Sequence, residues 1–306
     1  MAAPIRDGQF AQVQPGIKLH YATAGTPGAP LMVFVHGFPE AWFEWEAQLA
    51  HFGQRCFAVA PDLRGFNLSS KPAEVAAYRP KVLIGDLTGL IQHLGYDSAV
   101  VVAHDWGGAL AWNLAIQRPQ WVRQLVIINS PHPYAFMRAL ATDPQQQAAS
   151  AYMNWLRTPG SELGLAKHGF AALEGFFNGM GQPPAPWFEP LRARYQAMWS
   201  VPGENGSHSL TGGVNYYRAS PLHPPTDTDP GPAALTLQPQ DWLVKRPTLV
   251  IWGEQDLALP ASLLDGLDAL VNPLTIERIP DGGHWVVHEQ PERINAAIDR
   301  WLAAQA

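Results

Sequence analysis

The sequence contains a single cysteine, Cys56, so an internal disulfide and a cysteine-rich zinc site are both excluded. A lone thiol of this kind reads as a small apolar residue in a reducing compartment, and a cytoplasmic location is expected. Runs of lysine or arginine are also missing. The 20 basic and 26 acidic side chains are scattered to a net charge of −6, which offers no footprint for a nucleic-acid backbone or an anionic membrane. No stretch of about 18 apolar residues is long enough to span a bilayer. The opening MAAPIRDGQF lacks the apolar run of a secretory signal. Repeats and low-complexity tails are absent, and no residue set proposes a metal. These absences lead us to expect a soluble, cytoplasmic chain, either a monomer or a homodimer, a choice the sequence does not make.

What is present is enough chain, 306 residues, for one large core and an inserted subdomain. QFAQVQ and IKLHYATAG alternate in polarity and predict an antiparallel pair turning at Pro15 and Gly16. Short Val- and Ile-rich runs follow at Leu31–Val35, Cys56–Ala60, Ala99–Ala103, Gln124–Ile128 and Thr248–Trp252, separated by helix-length segments. Runs of this kind suit parallel strands buried on both faces. The expected fold class is α/β: a mostly parallel, doubly wound sheet whose sites lie at the carboxyl ends of its strands. From about Pro131 to Pro239 the rhythm changes to helical segments such as Gln145–Leu156 and Glu189–Trp199, rich in Trp, Tyr and Pro. This predicts a helical cap over 132–239, between a first core part at 1–131 and a second at 240–306.

Chemistry-bearing residues fall where strands end. VVVAHDWGG runs a buried strand into a tight turn and a helix from about Gly108, the form of a nucleophile elbow with Asp105 at its tip. Ala103 stands where glycine is usual, while Gly107 and Gly108 allow close helix packing. The plainer alternative is that Asp105 only caps the helix. VFVHGFPE is a second strand entering a glycine-containing loop, and with such an elbow the amides of Phe38 and Trp106 would form an oxyanion hole. Beyond the cap, TLVIWGEQDLALP places Asp256 after a strand and IPDGGHWVVHEQ places His284 in a glycine-rich loop, which completes the order nucleophile, acid, histidine. Glu254 and His288 are the local competitors. Asn129, after the preceding strand, cannot carry the charge of an acid.

The nucleophile selects the substrate. Serine attacking a saturated carbon would leave an ether, whereas a carboxylate leaves an ester that water can cleave. A carboxyl with a reference pKa of about 3.9 is ionised at neutral pH and needs no base for attack. His284, oriented by Asp256, serves the second step by taking a proton from water. Epoxides and alkyl halides are the main electrophiles of this kind, and an epoxide also requires a proton donor for its alkoxide. Tyr134, Tyr152, Tyr195, Tyr216 and Tyr217 all lie in the predicted cap, and composition does not choose among them.

HGFPEAWFEW, APDLRGFNLSSKP, AHDWGGALAW, AYMNWLRTPG, NYYRAS and GGHW together make the chain resemble the soluble epoxide hydrolases of the α/β-hydrolase fold over nearly its whole length. The resemblance implies hydrolysis at an ether bond without a cofactor, on a small hydrophobic epoxide. It implies Asp105 as nucleophile, Asp256 and His284 as the charge pair, and Phe38 and Trp106 as oxyanion donors and substrate contacts. It also implies Tyr152 and Tyr217 as the cap tyrosines that bind and protonate the epoxide oxygen, with Tyr216 as the neighbour that could replace Tyr217. Haloalkane and fluoroacetate dehalogenases share the nucleophile. The first usually carry Asn where this chain has Phe38, and the second carry Arg where it has Trp106. A non-catalytic ligand-binding protein of the same fold is the remaining alternative. Trp155, Phe176, Phe177, Trp187, Phe188 and Trp199 are candidates for an apolar pocket or for the core of the cap.

Overall fold

The computed structural model describes residues 2–177, 185–236 and 238–305. One sheet of eight strands runs through it in the order β1-β2-β4-β3-β5-β6-β7-β8. The first pair, β1 (Ile5–Gln14) and β2 (Ile17–Ala24), is antiparallel, and β2 is antiparallel to β4 (Phe57–Pro61). The others are all parallel: β3 (Leu31–Val35), β5 (Ala99–His104), β6 (Val122–Ile128), β7 (Thr248–Gly253) and β8 (Leu274–Ile279). β3, β4, β5 and β7 are buried at every residue, because helices cover both faces of this part of the sheet.

The expected strands are all present: β3 has the predicted bounds, and β2, β4, β5, β6 and β7 differ by one or two residues at an end. β4 begins at Phe57, since Cys56 is only half-buried. β1 reaches back to Ile5, ahead of the predicted segment, through bulges that shift its register against β2. β8 was not foreseen. It pairs with β7 as an edge strand, and of its sequence LTIERI only Ile279 is buried, so no buried run marks it.

Between β6 and β7 the chain leaves the sheet and forms the helical cap, a sequence of helices that includes Pro144–Ala149, Ala151–Leu156, Ser161–Phe177 (two helical pieces either side of a kink at 167–170), Arg192–Trp199 and Thr211–Ala219. The predicted helix Gln145–Leu156 is two helices broken at Ser150. The cap is fastened to the core by buried polar contacts. Tyr216 Oη donates to the Arg64 carbonyl at 2.9 Å, and Trp199 Nε1 to that of Pro39 at 2.8 Å. Arg64 is in turn held by both oxygens of Asp86, at 2.9 and 2.6 Å. Among the described residues no helix is long and apolar enough to cross a membrane.

Candidate active site

The carboxyl ends of β3, β5, β6 and β7 converge beneath the cap. At the end of β5 the helix Asp105–Gln117 begins at Asp105 itself, three residues earlier than expected. Asp105 has φ +49°, a left-handed conformation that costs an L-residue roughly 1–2 kcal/mol. The tight turn is possible because its neighbours are glycines. A Cβ on Gly107 would stand 2.2 Å from the Val35 carbonyl, and one on Gly108 would stand 2.3 Å from Ser130 Cβ. Asp105 is the first residue of that helix and His104 its N-cap, so Asp105 does not occupy the capping position. One oxygen, Oδ1, instead accepts the Phe38 N–H at 2.7 Å, and the Asp105 carbonyl accepts from Ser130 Oγ at 2.7 Å.

The loop after β3 is built for that approach. A Cβ on Gly37 would lie 2.3 Å from Asp105 Oδ1, so only glycine fits there. His36 holds the loop: its Nε2 accepts the Leu63 N–H at 2.9 Å, and its Nδ1 donates to the Gly37 carbonyl at 2.8 Å. Complete burial lowers the His36 pKa, in keeping with this neutral tautomer. The Trp106 amide follows Asp105 in the first helical turn, where an N–H has no carbonyl of its own helix to bond. The helix dipole adds positive potential at the same point.

On the other side of the nucleophile, His284 Nε2 lies 3.7 Å from Asp105 Oδ2, and its Nδ1 lies 2.7 Å from Asp256 Oδ2. Asp256 accepts four hydrogen bonds. Oδ2 takes those of His284 and Asn129 Nδ2 (2.8 Å), and Oδ1 those of the Ala258 and Leu259 amides, both 2.9 Å. A carboxyl that accepts at every site is a carboxylate. Burial raises its pKa, but the His284 charge and hydrogen bond, with those of Asn129 and Leu259, outweigh it and leave the value below the ordinary one. The Nδ1–H is therefore directed at Asp256, and Nε2 faces Asp105.

Glu254 is outside this arrangement, bonded to Arg278 at 2.7 Å, and His288 lies against Glu40 at 2.6 Å. The sequence missed the part played by Asn129. It clamps β6 to β7, donating to the Gly253 carbonyl and accepting its N–H at 2.8 Å, while it presents its amide to Asp256. Its place at the end of β6 was the available signal, although only its lack of charge was read.

Two cavities, about 230 and 380 Å³, meet at Asp105, Tyr152 and Tyr217. Trp106, Leu110, Phe136 and Met153 line the first, and Phe38, Phe176, His284 and Trp285 the second. Tyr217 stands edge-on to Phe38 and Trp106, with ring centroids 5.3 and 5.1 Å away, and 6.2 Å from Tyr152. Tyr216 points the other way, to Arg64. Burial first, then the Asp105 charge among others, raises the pKa of both Tyr152 and Tyr217, so both are protonated at neutral pH. Of the other cap aromatics, Phe176 and Phe177 line the second cavity, Trp187, Phe188 and Trp199 pack within the protein, and Trp155 is exposed.

An aspartate at an elbow, backed by a histidine–aspartate pair and an amide at its other oxygen, makes this a hydrolase of the α/β class that works through an alkyl ester. Residues 30–291 match the family described as alpha/beta hydrolase fold. Epoxide hydrolase 4 of Mus musculus is 31% identical over 293 residues, covering 94% of this chain and 77% of that protein. Among solved structures, epoxide hydrolase of Bacillus megaterium, in complex with an inhibitor, is 32% identical with a TM-score of 0.83, covering 96% of this chain and all of the other. One of the epoxide hydrolases from metagenomes of hot environments is 40% identical with a TM-score of 0.85, covering 99% of each chain. The chain belongs to the epoxide hydrolase family of the α/β-hydrolase fold.

Proposed function

We propose that the protein adds water to small hydrophobic epoxides to give vicinal diols, and that Tyr152 and Tyr217 activate the ring. The observation that carries this reading is the pair of protonated phenols facing the nucleophile across a largely apolar cavity. Asp105 Oδ1 is engaged by the Phe38 amide, so Oδ2 is the oxygen that attacks the epoxide carbon. A C–O bond of the ring breaks, the alkoxide takes a proton from a tyrosine, and an ester joins the substrate to Asp105.

Water then attacks the ester carbonyl carbon, and His284 Nε2 takes its proton. The amides of Phe38 and Trp106 hold the oxyanion that forms on Oδ1. Collapse releases the diol and the Asp105 carboxylate, and the proton on His284 returns to the tyrosinate. Besides water and the substrate, every step uses side chains or backbone amides of this chain. A dehalogenase would need neither phenol.

Incubation of the purified protein with styrene oxide and, separately, with a bromoalkane tests the reading. Diol without halide is the expected result. Halide without diol would overturn it and reduce both tyrosines to packing residues.

A further inference from the structure

Behind the triad lies a group of buried titratable side chains that the mechanism above leaves unused. His104, the residue before the nucleophile, has its whole side chain buried, as have Glu40 and Glu44. Its Nε2 lies 2.9 Å from the backbone carbonyl of His284. A carbonyl only accepts, so Nε2 carries a proton. Its Nδ1 lies 2.7 Å from Glu44 Oε1 and 3.7 Å from Glu40 Oε2. The His104 and His284 rings are in contact, with centroids 4.8 Å apart.

The two glutamates are placed differently. Glu40 Oε1 is bonded by Tyr195 Oη and by His288 Nε2, each at 2.6 Å, so it has partners besides His104. Glu44 has one cationic partner among the described residues, His104, in an ion pair; neither Glu44 oxygen, nor His104 Nδ1, has a partner in hydrogen-bond geometry among them. A carboxylate so buried is tolerable only with its proton or with a cation beside it.

We propose that Glu44 is a positioning residue for the hydrolytic half-reaction: it shares a proton with His104 Nδ1, which commits Nε2–H to the His284 carbonyl and fixes the loop that carries the base. The proposal rests on the epoxide reading above for its kinetic part only. The electrostatics agree with the geometry. Burial lowers the His104 pKa, but Glu44 and Glu40 together raise it well above the ordinary value. Burial and the Glu40 charge raise that of Glu44 against the opposing pull of His104. Both directions favour a proton retained between the two. A cation held by Glu40, Glu44 and His104 is the competing occupant, and three such donor atoms do lie within 4.8 Å of one another. Nδ1 and Oε1 stand 2.7 Å apart as an ion pair, closer than a bare nitrogen and a carboxylate oxygen would stand, which favours a proton between them.

The test compares the wild type with Glu44→Gln, isosteric and without the acid. Proton NMR of the wild type should show two low-field resonances, from His104–Glu44 and His284–Asp256, and Glu44→Gln should lose one. In single turnovers of styrene oxide, ester hydrolysis should slow about tenfold, the worth of one charge-assisted hydrogen bond, while alkylation of Asp105 keeps its rate. Glu44→Asp, whose carboxylate is drawn back by one methylene, should fall between and serves if the Gln variant does not fold. Retention of both resonances, or equal slowing of both half-reactions, would overturn the proposal. So would a divalent cation found in the untreated protein together with no low-field proton at His104. A wild type that shows both resonances but opens no epoxide would overturn the epoxide reading and leave the pairing standing.

Discussion

His284 sits a full ångström nearer Asp256 than Asp105, with its two ring nitrogens at 2.7 Å and 3.7 Å from the respective carboxylates. The imidazole is thus bonded to its orienting acid and not to the nucleophile. That asymmetry matches a carboxylate nucleophile, which needs no base to attack, and keeps Nε2 for water in the second step. Replacing His284 with Gln should permit alkylation and block hydrolysis. Intact-protein mass spectrometry after incubation with styrene oxide should find the substrate mass added to Asp105. Unmodified protein with ordinary turnover would refute the assignment of the base.

Gly37 separates the two half-reactions from the opposite direction. A methyl group there would meet Asp105 Oδ1 at 2.3 Å and Cβ at 2.4 Å, so the nucleophile must move. Displacement of about 1 Å costs on the order of a hundredfold in rate. Gly37→Ala should therefore lose alkylation itself, and in the His284→Gln background the mass adduct should form at least about a hundredfold more slowly. Circular dichroism should show an unchanged fold. An adduct forming at the parent rate would mean that the loop yields without disturbing Asp105.

The tyrosines act before the ester exists. General-acid catalysis contributes typically 10²- to 10⁴-fold, so Tyr152→Phe with Tyr217→Phe should reduce epoxide opening by about that factor or more. Each single variant should lose less, since one phenol remains. Tyr216→Phe removes only the bond to the Arg64 carbonyl, so it should lower the melting temperature and spare kcat. If Tyr216→Phe were the inactive variant, the donor role would pass to it.

How far the sequence revealed these roles followed the range of the interactions. Asp105, Asp256 and His284 were legible because each follows a buried strand or a glycine-rich loop, in an order that one sheet brings together. The buried runs gave β3 to β7 by the same reasoning, whereas β8, buried only at Ile279, carried no such run. The choice of Tyr217 over Tyr216 came from the family resemblance, and only the packing of the helix Thr211–Ala219 shows which ring turns toward the cavity. Glu44 with His104, and Asn129 with Asp256, were hidden because no local pattern links residues 60 and 127 positions apart.

Lys71 gives a prediction about stability that does not depend on catalysis. Its Nζ donates to the Val201 carbonyl at 2.7 Å and its backbone N–H to Glu204 Oε1 at 2.7 Å, tying a core loop to the cap segment after the helix Arg192–Trp199. Burial lowers its pKa from 10.5 to about 8, against the opposing pull of Asp62 and Glu204. Below pH 8 the folded and unfolded chains both hold the proton, and the folded state bears the full cost of a buried cation. Between about 8 and 10.5 the unfolded chain still holds it while the folded chain releases it, so this group's contribution to stability rises with pH across that window. Lys71→Met lacks the titration. Its melting temperature relative to wild type should be most favourable at pH 7 and should decline by pH 10. Parallel melting curves for the two proteins across that range would show that Lys71 keeps an ordinary ammonium in the folded state.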